Sequence, residues 1–140
     1  MNSRELTRWG IGQWYPITSY NVPKVVAILP DNPGVYVFRT LDMKARVQGE
    51  SDIAHVGKGT RSTGVRARVR EHFYKRALPT TSTPSGRIDQ WINAWGYDVE
   101  VGWLVRASEE LAEAVEREIL EAYEKDHHDR PPINRSMPRG

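Results

Sequence analysis

Two short apolar runs followed by a basic helical segment limit what this chain can become. Residues 34–40 (GVYVFRT) set β-branched and aromatic side chains behind the turn signal Pro30-Asp31-Asn32-Pro33, and residues 52–57 (DIAHVG) form a second such run. With a period of two, Val35 and Val37 share one face of the first strand while Tyr36 and Phe38 share the other. Residues 41–51 are polar, contain Gly49 and show no pattern, which predicts a long, irregular hairpin connection. After Ser62-Thr63 the period changes. Val65, Val69 and Phe73 recur every four residues, so residues 62–77 predict a helix with a buried stripe, and Arg68 and His72 are neighbours along one edge of it. Arg66 and Arg70 share the opposite edge.

A third strand is predicted at residues 97–106 (YDVEVGWLVR), where Tyr97, Val99, Val101, Trp103 and Val105 alternate onto one face. Ahead of it, residues 78–82 read as a loop. Thr83 and Pro84 then open a short helix ending near Gly96, with Ile88, Trp91, Ile92 and Trp95 as its apolar face. Behind the third strand, Ser108 caps a last helix that carries Glu109 and Glu110 in its first turn, as the helix dipole favours. Leu111, Val115, Ile119 and Ala122 are its expected core stripe, and it ends before Pro131-Pro132. In the first 32 residues, Trp9, Trp14, Tyr15 and Tyr20 alternate with Gly10, Gly12, Pro16 and Pro23, a pattern that argues against a long helix and suits an aromatic lid over the core. Residues 25–29 (VVAIL) read as either strand or helix. The order strand, strand, helix, helix, strand, helix predicts an α/β (α+β) architecture: a small, mainly antiparallel three-stranded sheet flanked by helices.

The length of 140 residues suits one domain, 1–140, with an N-terminal arm at 1–32, a core at 33–135 and a short tail. The chain has no cysteine, which excludes disulfides and thiolate metal sites, and no apolar run approaches the ~18 residues of a membrane span. The first residues carry charges without an apolar signal core, so the expected compartment is the cytoplasm, with no membrane partner. The net charge of +2 hides an asymmetry. From His55 to Arg76, seven basic residues (Lys58, Arg61, Arg66, Arg68, Arg70, Lys75 and Arg76) face a single acid, Glu71. From Glu109 to Asp126, eight acids face Arg117 and Lys125. The basic segment has the charge footprint of a phosphate-binding surface, although the same run also reads as a solvated helix face.

Five short motifs in order carry a resemblance. They are Gly34-Val35-Tyr36; His55-Val56-Gly57 followed by Lys58; Arg68 with His72 four residues on; Ala112-Glu113-Ala114-Val115-Glu116-Arg117-Glu118 followed by Ile119-Leu120; and Pro131-Pro132-Ile133-Asn134. Over about residues 33–135 the chain resembles the GIY-YIG nuclease family. That resemblance implies a metal-dependent endonuclease hydrolysing phosphodiester bonds in DNA, with RNA not excluded. It implies Tyr36, His55, Arg68, His72 and Glu116 as catalytic residues, Glu116 as the ligand of Mg²⁺ or Mn²⁺, and Lys58, Arg61, Arg66, Arg70 and Asn134 as substrate contacts. The chain departs from the family pattern in three ways. His55 stands where the second motif has tyrosine, the connections from Tyr36 to His55 and from Gly57 to Arg68 are extended, and Glu116 lies far ahead of Asn134 with Glu118 and Glu121 nearby. On a helical wheel Glu116 and Glu118 flank the apolar stripe equally, and only the motif alignment favours Glu116.

Cutting a phosphodiester requires a nucleophilic water, stabilisation of added negative charge and help for the leaving oxygen. Arg68 suits bidentate clamping of the phosphate. Tyr36 suits orienting or deprotonating the water, although a phenol titrating near ~10 acts as a base only if cations such as Arg68, Lys58 or a metal lower it. His55 and His72 can share a proton relay or hold the phosphate, Lys58 between two glycines suits a phosphate contact, and Asn134 suits orienting the site by hydrogen bonds. His127 and His128, adjacent on a helix and so about 100° apart, form no chelating pair and read as a solvated helix end. The rival expectation, motivated by His55, is a nucleic-acid-binding module whose catalysis has decayed. Specificity would come from the 1–32 arm, the 41–51 insertion, the 78–87 loop, or a homodimer or partner protein.

Overall fold

A computed structural model describes residues 1–59, 64–74 and 87–134. In chain order it contains a 3-10 helix at Ser3–Trp9, then β1 (Tyr15–Ile17), α1 (Val22–Ile28), β2 (Gly34–Ala45), β3 (Glu50–Gly59), α2 (Gly64–Tyr74), α3 (Arg87–Asn93), β4 (Val99–Val105) and α4 (Glu109–His127). The strands form one sheet in the order β1-β4-β2-β3, and every neighbouring pair is antiparallel. Among the described residues, no helix is long and apolar enough to cross a membrane.

The sheet separates two apolar layers, as the period-two reading of β2 requires. Tyr36 lies opposite Gly57 of β3 and Trp103 of β4, and Phe38 lies opposite His55 and Val101, so these residues share one face. That face packs on Val25, Val65, Val69 and Ile88 from α1, α2 and α3. On the other face, Val35, Val37, Val56 and Leu104 pack on Val115, Ile119, Leu120 and Tyr123 of α4.

Four expectations change. The sheet has four strands, not three, because Tyr15–Ile17 in the N-terminal arm pairs with β4 (Tyr15 with Val101, Ile17 with Val99). Pro16 is tolerated because β1 is an edge strand, where a missing N–H is least disruptive. Residues 41–51 are mostly strand rather than loop: β2 runs on to Ala45 and β3 starts at Glu50, the irregularity being a register shift in their pairing between Arg39 and Lys44, and a tight turn closes them with Gly49 at φ 75° and a 2.9 Å bond from Arg46 N to Gly49 O. The stripe of α4 is rotated from the expected one, since Leu111 is exposed and Ala112, Val115, Ile119, Leu120 and Tyr123 are buried. His127 is not solvated. It is buried against Tyr123 with its Nδ1 2.6 Å from Gln48 O, so it locks the end of α4 to the hairpin turn, while His128 is the left-handed cap beyond it. Residues 25–29 resolve as helix, with Val22–Ile28 helical. The predicted helix start at Thr83-Pro84, the 78–82 loop and most of the 78–87 loop lie outside the described residues.

Candidate active site

The site is built around the sheet's edge. β3 is the last strand, and Tyr36 on its neighbour β2 faces a glycine there. A Cβ on Gly57 would lie 2.4 Å from both Cζ and Oη of Tyr36, so the ring occupies the space a side chain would need. The buried stripe of α2 then brings His72 to within 2.8 Å of Tyr36 Oη through its Nε2. One turn earlier, Arg68 lies half-buried with its Nη1 2.5 Å from Oε2 of Glu71. Tyr36 is fully buried, and burial pushes its phenol above its ordinary value of 10.0 although Arg68 pulls it down. The lowering that a tyrosinate base would require is therefore not the net effect. Tyr36 is a neutral phenol.

This packing makes a test of Gly57. Gly57→Ala is expected to push the Tyr36 ring off His72 and to reduce at least tenfold any plasmid nicking that the parent performs, with little change in secondary structure by circular dichroism. Activity equal to the parent's would show that the ring position is unimportant.

The opposite face of the edge supplies the rest. Lys58, next to Gly57, turns toward α4, where its Nζ is 3.0 Å from Oε2 of Glu113. One helical turn further, Glu116 is half-buried whereas Glu118 is exposed, which separates two residues that the wheel left equivalent. Burial pushes the Glu116 carboxyl up to about 7, more than Lys58 and Arg68 pull it down, and Glu113 adds to the rise. Glu113, partly exposed and held by Lys58, is lowered. The charge of Glu116 also raises Tyr36, so the groups on the two faces lie within electrostatic reach of each other around β3. Glu116 is the residue that could hold a metal. Among the described residues no three His, Cys, Asp or Glu side chains gather into a cage, and a single carboxylate such as Glu116 is the kind of oxygen ligand by which Mg²⁺, keeping most of its water, is ordinarily held.

His55 sits opposite Phe38, buried, with its ring centroid 4.9 Å from His72 and 5.8 Å from Tyr36. Burial first, then His72 and Arg68, hold its pKa well below the usual 6.5. It is a neutral wall behind the tyrosine, and its Nδ1 has no hydrogen-bond partner among the described residues.

The expected substrate contacts divide. Asn134 fits the expectation that it orients the site by hydrogen bonds: its Oδ1 accepts from Val56 N at 2.8 Å and its Nδ2 donates to Val56 O at 2.7 Å, so it substitutes for a neighbouring strand at the edge of β3. Arg66 is diverted, donating to Leu29 O at 2.8 Å and Ala27 O at 3.1 Å, where it satisfies carbonyls at the end of α1. Arg70 is exposed beside Tyr74, and Arg61 lies outside the described residues. Lys58 and Arg68 remain as the inward cations. Sequence reasoning passed over Glu71 and Glu113, whose only signal was spacing: Glu71 stands three residues after Arg68, and Glu113 three before Glu116.

No family model matches the chain, and no curated protein matches it in sequence. Solved structures do. The GIY-YIG N-terminal endonuclease domain of UvrC from Thermotoga maritima, bound to its catalytic divalent cation, magnesium, aligns over 84% of this chain and 99% of that one, with 19% identity and a TM-score of 0.53. Two tyrosine-to-phenylalanine point mutants of the same domain, each bound to the catalytic divalent cation, align over 85% of this chain and 100% of theirs, at 19% and 18% identity with TM-scores of 0.54 and 0.53. The likeness establishes a GIY-YIG-like fold: an antiparallel four-stranded sheet flanked by helices.

Proposed function

We propose that this chain, on its GIY-YIG-like fold, is a divalent-metal-dependent endonuclease that hydrolyses phosphodiester bonds in DNA. The observation that carries the reading is the 2.8 Å contact of Tyr36 Oη with His72 Nε2, with Arg68 beside the phenol and Glu116, half-buried on the other side of β3, within electrostatic reach. A phenol joined to an imidazole is a path for one proton, and a guanidinium beside it and a carboxylate within reach are the groups that phosphoryl chemistry needs for charge and for metal.

With His72 Nε2 as the acceptor, Tyr36 donates its hydroxyl hydrogen to it, and Arg68, which also bonds this buried phenol, yields that oxygen to a water when it turns to the substrate phosphate. As that water attacks phosphorus, its proton passes to Tyr36 Oη while the tyrosine's own proton passes to His72. The phenol never has to become a free anion, which agrees with its upward-shifted pKa. Arg68 holds two non-bridging oxygens and meets the charge that accumulates on them. The bond to the leaving oxygen then breaks, and solvent supplies that oxygen's proton. His55 holds the Tyr36 and His72 rings in place, and its neutrality leaves the relay free of a second buried charge. Glu116 would hold the metal, which when bound stabilises the developing negative charge and the leaving oxygen.

The test is nicking of supercoiled plasmid by purified protein with Mg²⁺ or Mn²⁺ and with chelator. Cleavage is expected only with metal, and Tyr36→Phe is expected to lower it about 10²-fold by interrupting the relay. No cutting by the parent in either metal, or equal cutting by Tyr36→Phe, would overturn the assignment.

A further inference from the structure

Both inward cations of the site already hold an anion. Arg68 Nη1 is 2.5 Å from Glu71 Oε2, and Lys58 Nζ is 3.0 Å from Glu113 Oε2. The second pair joins residues on different elements, an edge strand and α4, so helix spacing alone does not account for it. Glu113 is braced from behind by Arg117 Nη2 at 3.4 Å, which keeps its carboxylate over Lys58. Neither acid lies against the buried rings as a core residue would; both are partly exposed at the mouth of the site.

We propose that Glu71 and Glu113 are positioning residues that stand in for substrate phosphates, each occupying its cation until a phosphate displaces it. The proposal rests on the phosphodiesterase reading above and extends it to how the substrate is admitted. Among the described residues, each of these two cations is paired with its own carboxylate, so a passing nucleic acid gains little at either. A backbone whose phosphates fit both positions exchanges one anion for another at each, and the displaced carboxylates are released to water. Selectivity therefore comes from simultaneous fit at two points, and a phosphate reaching only one cation must still compete with its resident acid. Exchange also limits salt dependence, because cations that are already paired release fewer counterions.

The experiment measures binding without chemistry. Fluorescence anisotropy of a short fluorescein-labelled DNA duplex, in chelator and across a salt series, is compared for the parent, Glu113→Gln, Glu71→Gln, Lys58→Met and the double variant Lys58→Met/Glu113→Gln. Each glutamine is expected to tighten binding two- to fivefold and to steepen the dependence of log affinity on log salt by about one, as one more cation becomes available. In the Lys58→Met background, Glu113→Gln is expected to change nothing, because the residue acts through Lys58. Under metal, Glu113→Gln is expected to lower KM more than it alters kcat, a split that a merely structural role would not produce. Unchanged affinity and salt slope in both glutamine variants, with the parent binding normally, would overturn this proposal and leave the function standing. A parent that binds no duplex would overturn both.

Discussion

Replacing Arg68 by alanine is expected to lower the turnover of plasmid nicking by about 10³, equivalent to roughly 4 kcal/mol of transition-state stabilisation. The size follows from position. The guanidinium lies half-buried beside Tyr36, where charge accumulating on a phosphate is poorly screened, and no other described cation takes its place on that face: Arg66 is bound to the end of α1 and Arg70 points to solvent. Stability is expected to change little. Alanine is the best helix former, and the Arg68–Glu71 pair, three residues apart on α2, stabilises a helix by only about 0.2–0.5 kcal/mol. Arg68→Lys is expected to recover a small part of the rate, since an ammonium keeps the charge but cannot span two oxygens. The measurement is kcat with a parallel thermal melt. A loss below tenfold, or one matched by a lowered melting temperature, would mean that Arg68 does not stabilise the reacting phosphate.

Glu116→Gln is expected to abolish metal-dependent cutting, again by about 10³ or more, and to remove a characteristic pH dependence. Burial raises this carboxyl from 4.5 to about 7, so in the folded protein without metal it is protonated below about 7 and ionised above. Proton and cation then compete for the same oxygens. At limiting Mg²⁺ the rate falls as pH drops through about 7. Each pH unit further down raises the metal needed for half-maximal rate by about tenfold, and saturating metal moves the midpoint to lower pH. Stability runs the other way. Between 4.5 and about 7 the native state binds more protons at this group than the unfolded chain does, so its contribution to stability grows as pH falls across that window, and Glu116→Gln removes the trend. Profiles of kcat/KM at two metal concentrations, with melts in chelator, read both effects. A midpoint that stays fixed as metal rises would separate the titrating group from the metal ligand.

What could be read from the sequence was what local periodicity determines. The opposite faces of Val35/Val37 and Tyr36/Phe38 follow from strand alternation, and the proximity of Arg68 and His72 follows from four-residue spacing, so half of the site was visible before any fold was known. What was missed is decided between distant segments. β1 is three residues long, contains a proline, and exists because β4 pairs with it. The outer hairpin extends beyond the packed body of the sheet, so Leu41 and Met43 are exposed and no alternation marks the strand. His127 is buried because the hairpin turn and Met1 both meet it, and the main-chain partners of Arg66 and Asn134, 39 and 78 residues away at the furthest, leave no local trace. The choice between Glu116 and Glu118 depended on which flank of α4 meets the edge of β3, a fact of packing that helix symmetry conceals.

Asn134 has a consequence outside catalysis. An open sheet edge is an invitation to aggregate, and natural proteins blunt it with charge, proline or a covering segment. Here one carboxamide meets both the N–H and the C=O of Val56, and Ile133 N bonds Ala54 O at 2.9 Å beside it, so a two-residue tether does the work of a fifth strand. The edge can therefore stay free of a covering strand where Gly57 and Lys58 carry the site. A chain that lost this amide would leave that stretch free to pair with the same stretch of another copy, and its solubility would suffer.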